Sequence, residues 1–219
     1  MMTDLIKSTN MIKEFKGEAL KVRLDNLQTM FEGQNLDTIT RLYSQNGIDD
    51  ILLNAAINVK NESSQIHEVV HAIGILLLLP KILEQGEKIQ TLSLGAGNTG
   101  KDFDLETNKR VAEFKFIHWK GGPESIRKNS LFKDFFYLAE NNKKKKRCLY
   151  VIGLKYPLEF LRGGRDLSSV LKDKRLADDY RRKYGNKYKK VCEYYAHRKD
   201  RVILTDMKPL LRPLAQITE

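Results

Sequence analysis

The sequence predicts an α/β protein that begins with a helical N-terminal extension. Three observations support this fold class. Apolar residues recur at helical spacing from residue 3 to residue 60. Apolar and polar residues alternate between residues 101 and 119, as they do along strands with one face on a core. Residues 148–154 form a continuous apolar run, which is typical of a strand covered on both faces.

The first 60 residues are predicted to form helices that pack on the main domain or dimerise. Breaks are expected at Gly17 and Gly33, and further helical segments at 36–43 and 48–59. The first ten residues lack the apolar segment of a secretory signal. The two cysteines form no disulfide framework. We therefore expect a cytoplasmic protein, with a homodimer as one arrangement that the extension could form.

From Ser63 onward the predicted order is helix, strand, hairpin, helix, strand, helix, strand. The first of these helices covers about residues 65–85, and its apolar run 72–80 is too short to span a bilayer. We expect a buried helix, bent or broken at Pro80, and no membrane partner. A short strand at 88–95 leads into the glycine-rich loop 95–100, a flexible connection expected close to the functional site.

Residues 101–119 predict two strands joined by a tight turn at Asn108-Lys109, where Asn108 is suited to a positive φ. One face of this hairpin carries apolar side chains: Phe103, Leu105, Ala112, Phe114 and Phe116. The other face carries Asp104, Glu106, Val111, Glu113 and Lys115. The register sets Asp104 opposite Glu113 at about 5 Å, with Lys115 next on the same face. Two carboxylates beside an ammonium suit a magnesium site; a solvated polar face is the alternative.

Asp104 followed by Glu113-Phe114-Lys115 resembles the PD-(D/E)xK nuclease superfamily, although Phe103 stands where the family name has proline. The resemblance covers about residues 61–160. It implies a restriction-endonuclease-like core, in which a central mixed β-sheet is flanked by helices. The chain would then divide into a helical extension, residues 1–60, and a nuclease-like domain, residues 61–219.

The resemblance also implies the chemistry, which is Mg²⁺-dependent or Mn²⁺-dependent hydrolysis of phosphodiester bonds in DNA, with RNA not excluded. Asp104 and Glu113 would bind the metal ion, joined directly or through water by Glu68 of the preceding helix. Lys115 would orient or deprotonate the attacking water and stabilise negative charge. Glu106 is expected to be an outer or spare ligand.

A second motif offers a different enzyme class. His67-Glu68-Val69-Val70-His71 matches His-Glu-x-x-His, the zinc-protease pattern that sets two imidazoles on one helical face. Glu84 or Glu87 could supply a third ligand. Glu68 serves both hypotheses, so only the histidines separate a zinc metallopeptidase from a nuclease. A catalytically inactive nucleic-acid-binding protein is the remaining alternative.

The charge balance favours a nucleic-acid partner, because the formal net charge is +11. Residues 172–201 hold twelve Lys and Arg against five Asp and Glu, with five tyrosines among them. Those tyrosines suit stacking on bases, or else packing of a helix on the core. Arg127 and Lys128 open the helix after the hairpin, predicted to begin at Pro123 and to bury Ile126. The candidate phosphate contacts are Arg127, Lys128, Arg181, Arg182, Lys187, Lys189 and Lys190.

Overall fold

The structure is a computed structural model that describes residues 2–34, 36–63, 66–95, 102–119 and 124–215. The chain divides into two compact units, Met1–His67 and Glu68–Glu219. The first unit is helical and the second is built on a β-sheet. This division lies seven residues after the boundary expected from the sequence.

The first unit contains α1 (Met2–Lys16), α2 (Leu20–Phe31), α3 (Leu36–Gln45) and α4 (Asp50–Ser63). The glycines after α1 and α2 have positive φ, 59° at Gly17 and 75° at Gly33, a conformation that costs glycine little. They confirm the two predicted breaks. Helix α1 packs along α4, and Leu27 and Ala55 are buried. The helical character predicted for this region is confirmed.

The second unit contains a five-stranded mixed sheet with helices on its faces. Its strands lie in the order β1-β2-β3-β4-β5; β1, β2 and β3 pair antiparallel, while β3, β4 and β5 pair parallel. The elements are α5 (Ile66–Ile82), β1 (Ile89–Leu92), β2 (Leu105–Thr107), β3 (Arg110–Lys115), α6 (Ser125–Glu140), β4 (Lys146–Val151), α7 (Lys155–Arg162), α8 (Lys174–Tyr184), α9 (Val191–Arg198), β5 (Ile203–Asp206) and α10 (Arg212–Ala215). The α/β class is thereby confirmed.

The predicted hairpin is formed by β2 and β3, which pair Leu105 with Ala112 and Glu106 with Val111. The turn lies at Asn108-Lys109 as expected, but the positive φ expected at Asn108 is wrong, since no described residue other than glycine has one. A side chain shapes the turn instead. Thr107 Oγ1 accepts hydrogen bonds from the backbone N–H groups of Lys109 (3.0 Å) and Arg110 (2.8 Å).

Helix α5 covers one face of the sheet. Its buried residues Ile75, Leu78 and Ile82 share a core with apolar side chains of β2, β3 and β4. Gly74 permits this close approach, because a Cβ there would lie 2.2 Å from the Phe116 ring. The helix continues through Pro80 rather than breaking, and it exposes apolar residues on its other side. By length and composition alone the stretch Asp50–Ile82 would suffice to cross a membrane, as core helices of soluble proteins also would.

Helices α6, α8 and α9 build the core on the opposite face, around Val111 and Leu149. Phe103 belongs to this core rather than to the face of Leu105, because regular pairing in β2 begins only at Leu105. Helix α6 starts at Ser125, and Ile126 is 84% exposed, so its predicted burial is wrong. Pro123 and residues 96–100 of the glycine-rich loop lie outside the described residues.

The last strands differ from prediction at their ends. Strand β4 begins earlier, at Lys146, and stops at Val151, because Gly153 turns the chain into α7 with a φ of 77°. The single basic helical region expected after it is two helices, α8 and α9. Strand β5 occupies Ile203–Asp206, within the stretch 201–206 that the sequence predicts as the last strand.

Candidate active site

The hairpin brings Asp104 and Glu113 together. Asp104 directly precedes β2, and Glu113 follows Ala112, the residue paired with Leu105. Their carboxyl groups lie within hydrogen-bonding reach of each other. The backbone N–H of Phe114 donates to Asp104 Oδ2 at 3.0 Å, which fixes the orientation of this carboxylate. The pairing expected from the register is therefore present.

Lys115 lies beside the two carboxylates but pairs with a residue that the sequence did not single out. Its ammonium forms an ion pair with Asp134 of α6. Asp134 occurs between the buried side chains of Phe132 and Phe135, where α6 packs on the sheet. An acidic residue among aromatic core positions was the only sequence feature that could have indicated it.

His71 of α5 is the second residue that the nuclease interpretation missed. Its Nε2 lies 3.5 Å from Asp104 Oδ1. The edge of its ring meets Phe116 at a centroid distance of 5.9 Å. One histidine of the zinc-protease motif therefore contacts a carboxylate of the nuclease motif, which joins α5 to the hairpin.

His67 and Glu68 lie about one turn before His71, and both are exposed. Among the described residues, Glu68 has no hydrogen-bond or ion-pair partner. The structure therefore does not bring Glu68 into direct contact with Asp104 or Glu113. A role for Glu68 at this site would require a bridging water or the metal ion itself.

The electrostatics of the cluster are unbalanced. Burial, together with the neighbouring carboxylates of Asp134 and Asp104, raises the pKa of Glu113 well above its usual value. Burial also raises the pKa of Asp134, partly offset by Lys115. Burial would raise the pKa of Asp104 too, but hydrogen bonds involving His71 and the Phe114 N–H hold it below its usual value. Three carboxyl groups thus share one ammonium.

Glu113 and Asp134 open onto a cleft of about 690 Å³. Its lining is acidic, because Lys133 and Arg175 are outnumbered by five carboxyl groups, those of Asp102, Glu113, Asp134, Glu140 and Asp173. A phosphodiester could approach such a surface only if cations neutralised part of this charge.

The donor set suits a hard divalent cation. Within the described residues, no group of three or more His, Cys, Asp or Glu side chains is arranged to hold a metal ion. Mg²⁺ does not require such a group, since it usually keeps several waters and binds one or two carboxylates plus substrate phosphates. Asp104 and Glu113, adjacent and short of positive charge, fit this pattern.

The third zinc ligand suggested by the sequence is not available. Glu87 receives hydrogen bonds from Arg110 Nε at 2.6 Å and from the Thr107 hydroxyl at 2.6 Å. Despite its burial, these bonds lower the pKa of Glu87 to about 2. Glu84 pairs with Lys146 and Arg110. Both glutamates are therefore engaged by cations rather than by the histidines of α5.

Glu106 lies on the hairpin but outside the cluster. Its carboxylate pairs with Lys143 at 2.6 Å and with Lys145 at 2.8 Å. These ion pairs disfavour the expected role of Glu106 as an outer or spare metal ligand. Lys143 and Lys145 belong to the run of four lysines at 143–146, which the sequence predicts as part of a solvated loop; both pair with this carboxylate.

The candidate phosphate contacts are mostly engaged with protein groups. Arg127 donates to the His118 carbonyl (3.0 Å) and to Glu124 (2.6 Å), and Lys128 lies over the Trp119 ring. Four others also have partners: Arg181 pairs with Asp178, Arg182 with Asp179, Lys190 with Asp166, and Lys187 lies over Tyr188. Arg181 and Lys189 border a separate pocket of about 450 Å³. None of the seven lines the carboxylate cleft.

The tyrosines of the basic region pack into the core, as the second of the two sequence interpretations proposed. Tyr180 and Tyr194 are buried, and Tyr184, Tyr188 and Tyr195 pack against them and their neighbours. Glu140 of α6 accepts hydrogen bonds from the hydroxyls of Tyr184 (2.7 Å) and Tyr194 (2.8 Å). These rings join α6, α8 and α9, and the buried ones are not available to stack on bases.

Comparisons with known proteins add no identification. The chain matches no protein-family model, no curated protein and no solved structure.

Proposed function

We propose that this protein is a metal-dependent nuclease that hydrolyses phosphodiester bonds, with DNA as the favoured substrate. The observation that carries the proposal is the convergence of Asp104, Glu113 and Lys115 at one end of β3. Glu113 and Lys115 follow Asp104 by 9 and 11 residues. They can meet it only because the hairpin has the register that the motif requires.

The topology supports the same proposal. The resemblance implies a helix, a short strand, a hairpin, a second helix and a further strand, all in one mixed sheet. The elements α5, β1–β2–β3, α6 and β4 follow this order, with β4 parallel to β3. Helix α6 is the crossover that such a parallel pair needs, and it also carries Asp134.

Asp104 and Glu113 would hold Mg²⁺ or Mn²⁺, with Glu68 acting through water. The ion would polarise a phosphoryl oxygen and help a water to ionise. The protein contributes the orientation of its ligands. The Phe114 N–H and His71 fix the Asp104 carboxylate, and the hairpin register sets Glu113 next to it.

Lys115 would supply positive charge next to the scissile phosphate. Its ion pair with Asp134 and the nearby Glu113 raise its pKa although burial opposes this, so the side chain stays an ammonium. An ammonium can orient the attacking water and stabilise the charge that develops on the phosphate. These properties favour water orientation and charge stabilisation over deprotonation of the water by Lys115.

The test is cleavage of supercoiled and linear DNA, with RNA in parallel, in the presence of Mg²⁺ or Mn²⁺. Lys115→Ala should lower the rate at least ~100-fold, the low end for loss of a positioned acid-base or charge-stabilising group. Glu106→Gln is the matched control, because it removes a carboxylate of the same hairpin that pairs with surface lysines; it should retain activity. An unchanged rate in Lys115→Ala, or wild-type protein without metal-dependent cleavage, would refute the proposal.

Binding of the nucleic acid is a separate part of the proposal, tested with Ca²⁺ in place of the catalytic ion. If Arg181, Arg182, Lys187, Lys189 and Lys190 contact phosphates, affinity should fall steeply with salt, because each neutralised phosphate releases counterions. Replacing Arg181 and Arg182 with alanine should reduce the slope of log K against log salt by about 1–2. An unchanged slope would show that DNA binds elsewhere.

A further inference from the structure

Asp134 enters the chemistry described above only as the partner that keeps Lys115 an ammonium, and it lines the cleft onto which Glu113 opens. Its carboxylate is 12% exposed and forms an ion pair with Lys115. The two residues come from different elements, Asp134 from α6 and Lys115 from the end of β3. Their pairing depends on the packing of α6 against the sheet.

Other carboxylates lie near Lys115. Glu113 is two residues away on the same face of β3, the hairpin register sets Asp104 opposite Glu113, and both carboxylates attract the ammonium. Left alone in a poorly solvated site, an ammonium would pair with these carboxylates, because opposite charges attract strongly where water is scarce. Such a pair would occupy the two groups that the metal ion needs. Asp134 provides an alternative partner from the other side.

We propose that Asp134 is a positioning residue, which holds the Lys115 ammonium away from the Asp104–Glu113 pair and so leaves that pair free to bind the metal ion. The inference rests on the proposed function and extends it. It explains how one ammonium and two metal ligands can lie side by side without neutralising each other.

The inference predicts that Asp134 and Lys115 are coupled in their effect on metal affinity. Metal binding measures this coupling without any assay of cleavage. Asp134→Asn removes the charge that holds Lys115, so the released ammonium should compete with the ion for Glu113 and Asp104. Mn²⁺ binding measured by calorimetry should weaken about 10-fold, as for other residues that orient the surroundings of a metal site. Adding Lys115→Ala to Asp134→Asn removes the competitor and restores the net charge of the wild-type site. Affinity should then return to within about 2-fold of wild type.

Asp173→Asn is the matched control. Asp173 also pairs with a lysine of the same cleft, Lys133 at 2.9 Å, and asparagine can replace it as the cap that accepts the Leu176 N–H. This variant should bind Mn²⁺ like wild type. Melting curves establish that each variant folds, and Asp134→Ser serves as a second variant if Asp134→Asn does not fold.

The outcomes separate the hypotheses. If Asp134→Asn binds Mn²⁺ as tightly as wild type, Asp134 is a structural residue and the inference fails, while the proposed function stands. If the double variant stays as weak as Asp134→Asn, Asp134 acts on the ion itself, and the inference also fails. If the wild-type protein binds no Mn²⁺, both the inference and the proposed function fail. Weaker Mn²⁺ binding in Asp134→Asn, with affinity restored when Lys115→Ala is added, supports the inference.

Discussion

Strand β3 begins and ends at a cluster of charged side chains, and the two clusters differ in charge balance. At its start, the Arg110 guanidinium donates to both oxygens of Glu87, at 2.6 and 2.7 Å, and to the Tyr150 hydroxyl at 3.1 Å. At its end, Lys115 faces Glu113, Asp104 and Asp134. We refer to these as the matched cluster and the unmatched cluster.

The pKa values show the consequence. In the matched cluster, hydrogen bonds from Arg110 and Thr107 outweigh burial and lower the pKa of Glu87 to about 2. In the unmatched cluster, burial and two neighbouring carboxylates raise the pKa of Glu113. Ionisable groups whose environment opposes their charge are concentrated at functional sites, whereas satisfied pairs are more often structural. The comparison therefore indicates a stabilising role for the matched cluster and supports the proposal that the unmatched cluster binds a cation.

The largest effect should follow from breaking the matched cluster. Arg110→Ala leaves the buried Glu87 carboxylate without its bidentate partner, which typically costs about 3–5 kcal/mol. Denaturant unfolding would measure this loss, and Glu87→Ala in the same background should add little, because the pair acts as a unit. A loss below about 1 kcal/mol for Arg110→Ala would show that the cluster does not stabilise the fold.

The sequence predicted the two carboxylates and the lysine at the end of β3, but not the matched cluster at its start. Alternation on both arms of the hairpin was sufficient to place Asp104 beside Glu113. Side chains return to the same face of a strand every two residues, and the short turn fixes which residues pair. Local patterns of apolar residues likewise located α5, the start of α6, β4 and β5 to within a few residues. Phe103 was assigned to the wrong face, since alternation has no meaning one step outside the paired residues.

The partners of these side chains were beyond prediction. Asp134 and His71 reach the site from helices on opposite faces of the sheet, and nothing in their spacing relates them to Asp104 or Lys115. Likewise, the spacing of the five tyrosines in and around α8 and α9 was compatible with stacking on bases and with packing on the core. Only the position of these helices against the sheet decides between the two. Contacts between elements depend on where the helices lie on the sheet. The periodicity of one segment predicts its own buried face but not the element that this face contacts.

The pH dependence of stability should differ between the two ends in the absence of metal. The pKa of Glu87 is lower in the folded state, so its contribution is present above about pH 4.5 and is lost as the pH falls toward about 2. The pKa of Glu113 is higher in the folded state, so its contribution is present at low pH and is lost as the pH rises through the raised value.

Melting temperatures across pH 2–9 would measure both effects. Glu87→Gln should flatten the acid limb alone, and Glu113→Gln should flatten the decline toward alkaline pH alone. Mn²⁺ should also remove the alkaline decline in wild type, because the ion favours ionised Glu113. If Glu113→Gln leaves the profile unchanged, Glu113 is not the group responsible for the alkaline decline.

The smallest effect, and the one that defines the extent of the unmatched cluster, concerns the two histidines of α5. His71 lies 3.5 Å from Asp104, the proposed metal ligand, so His71→Ala should lower the proposed metal-dependent cleavage about 10-fold. His71→Gln keeps an N–H donor and should recover part of that loss. His67 is exposed on the same helix, and the cleavage rate of His67→Ala should stay within about 2-fold of wild type.

A zinc peptidase would instead lose its activity in both variants, since each histidine would be a ligand. Equal loss of a peptidase activity in His67→Ala and His71→Ala, with cleavage of DNA unaffected, would transfer the functional assignment from the end of β3 to α5.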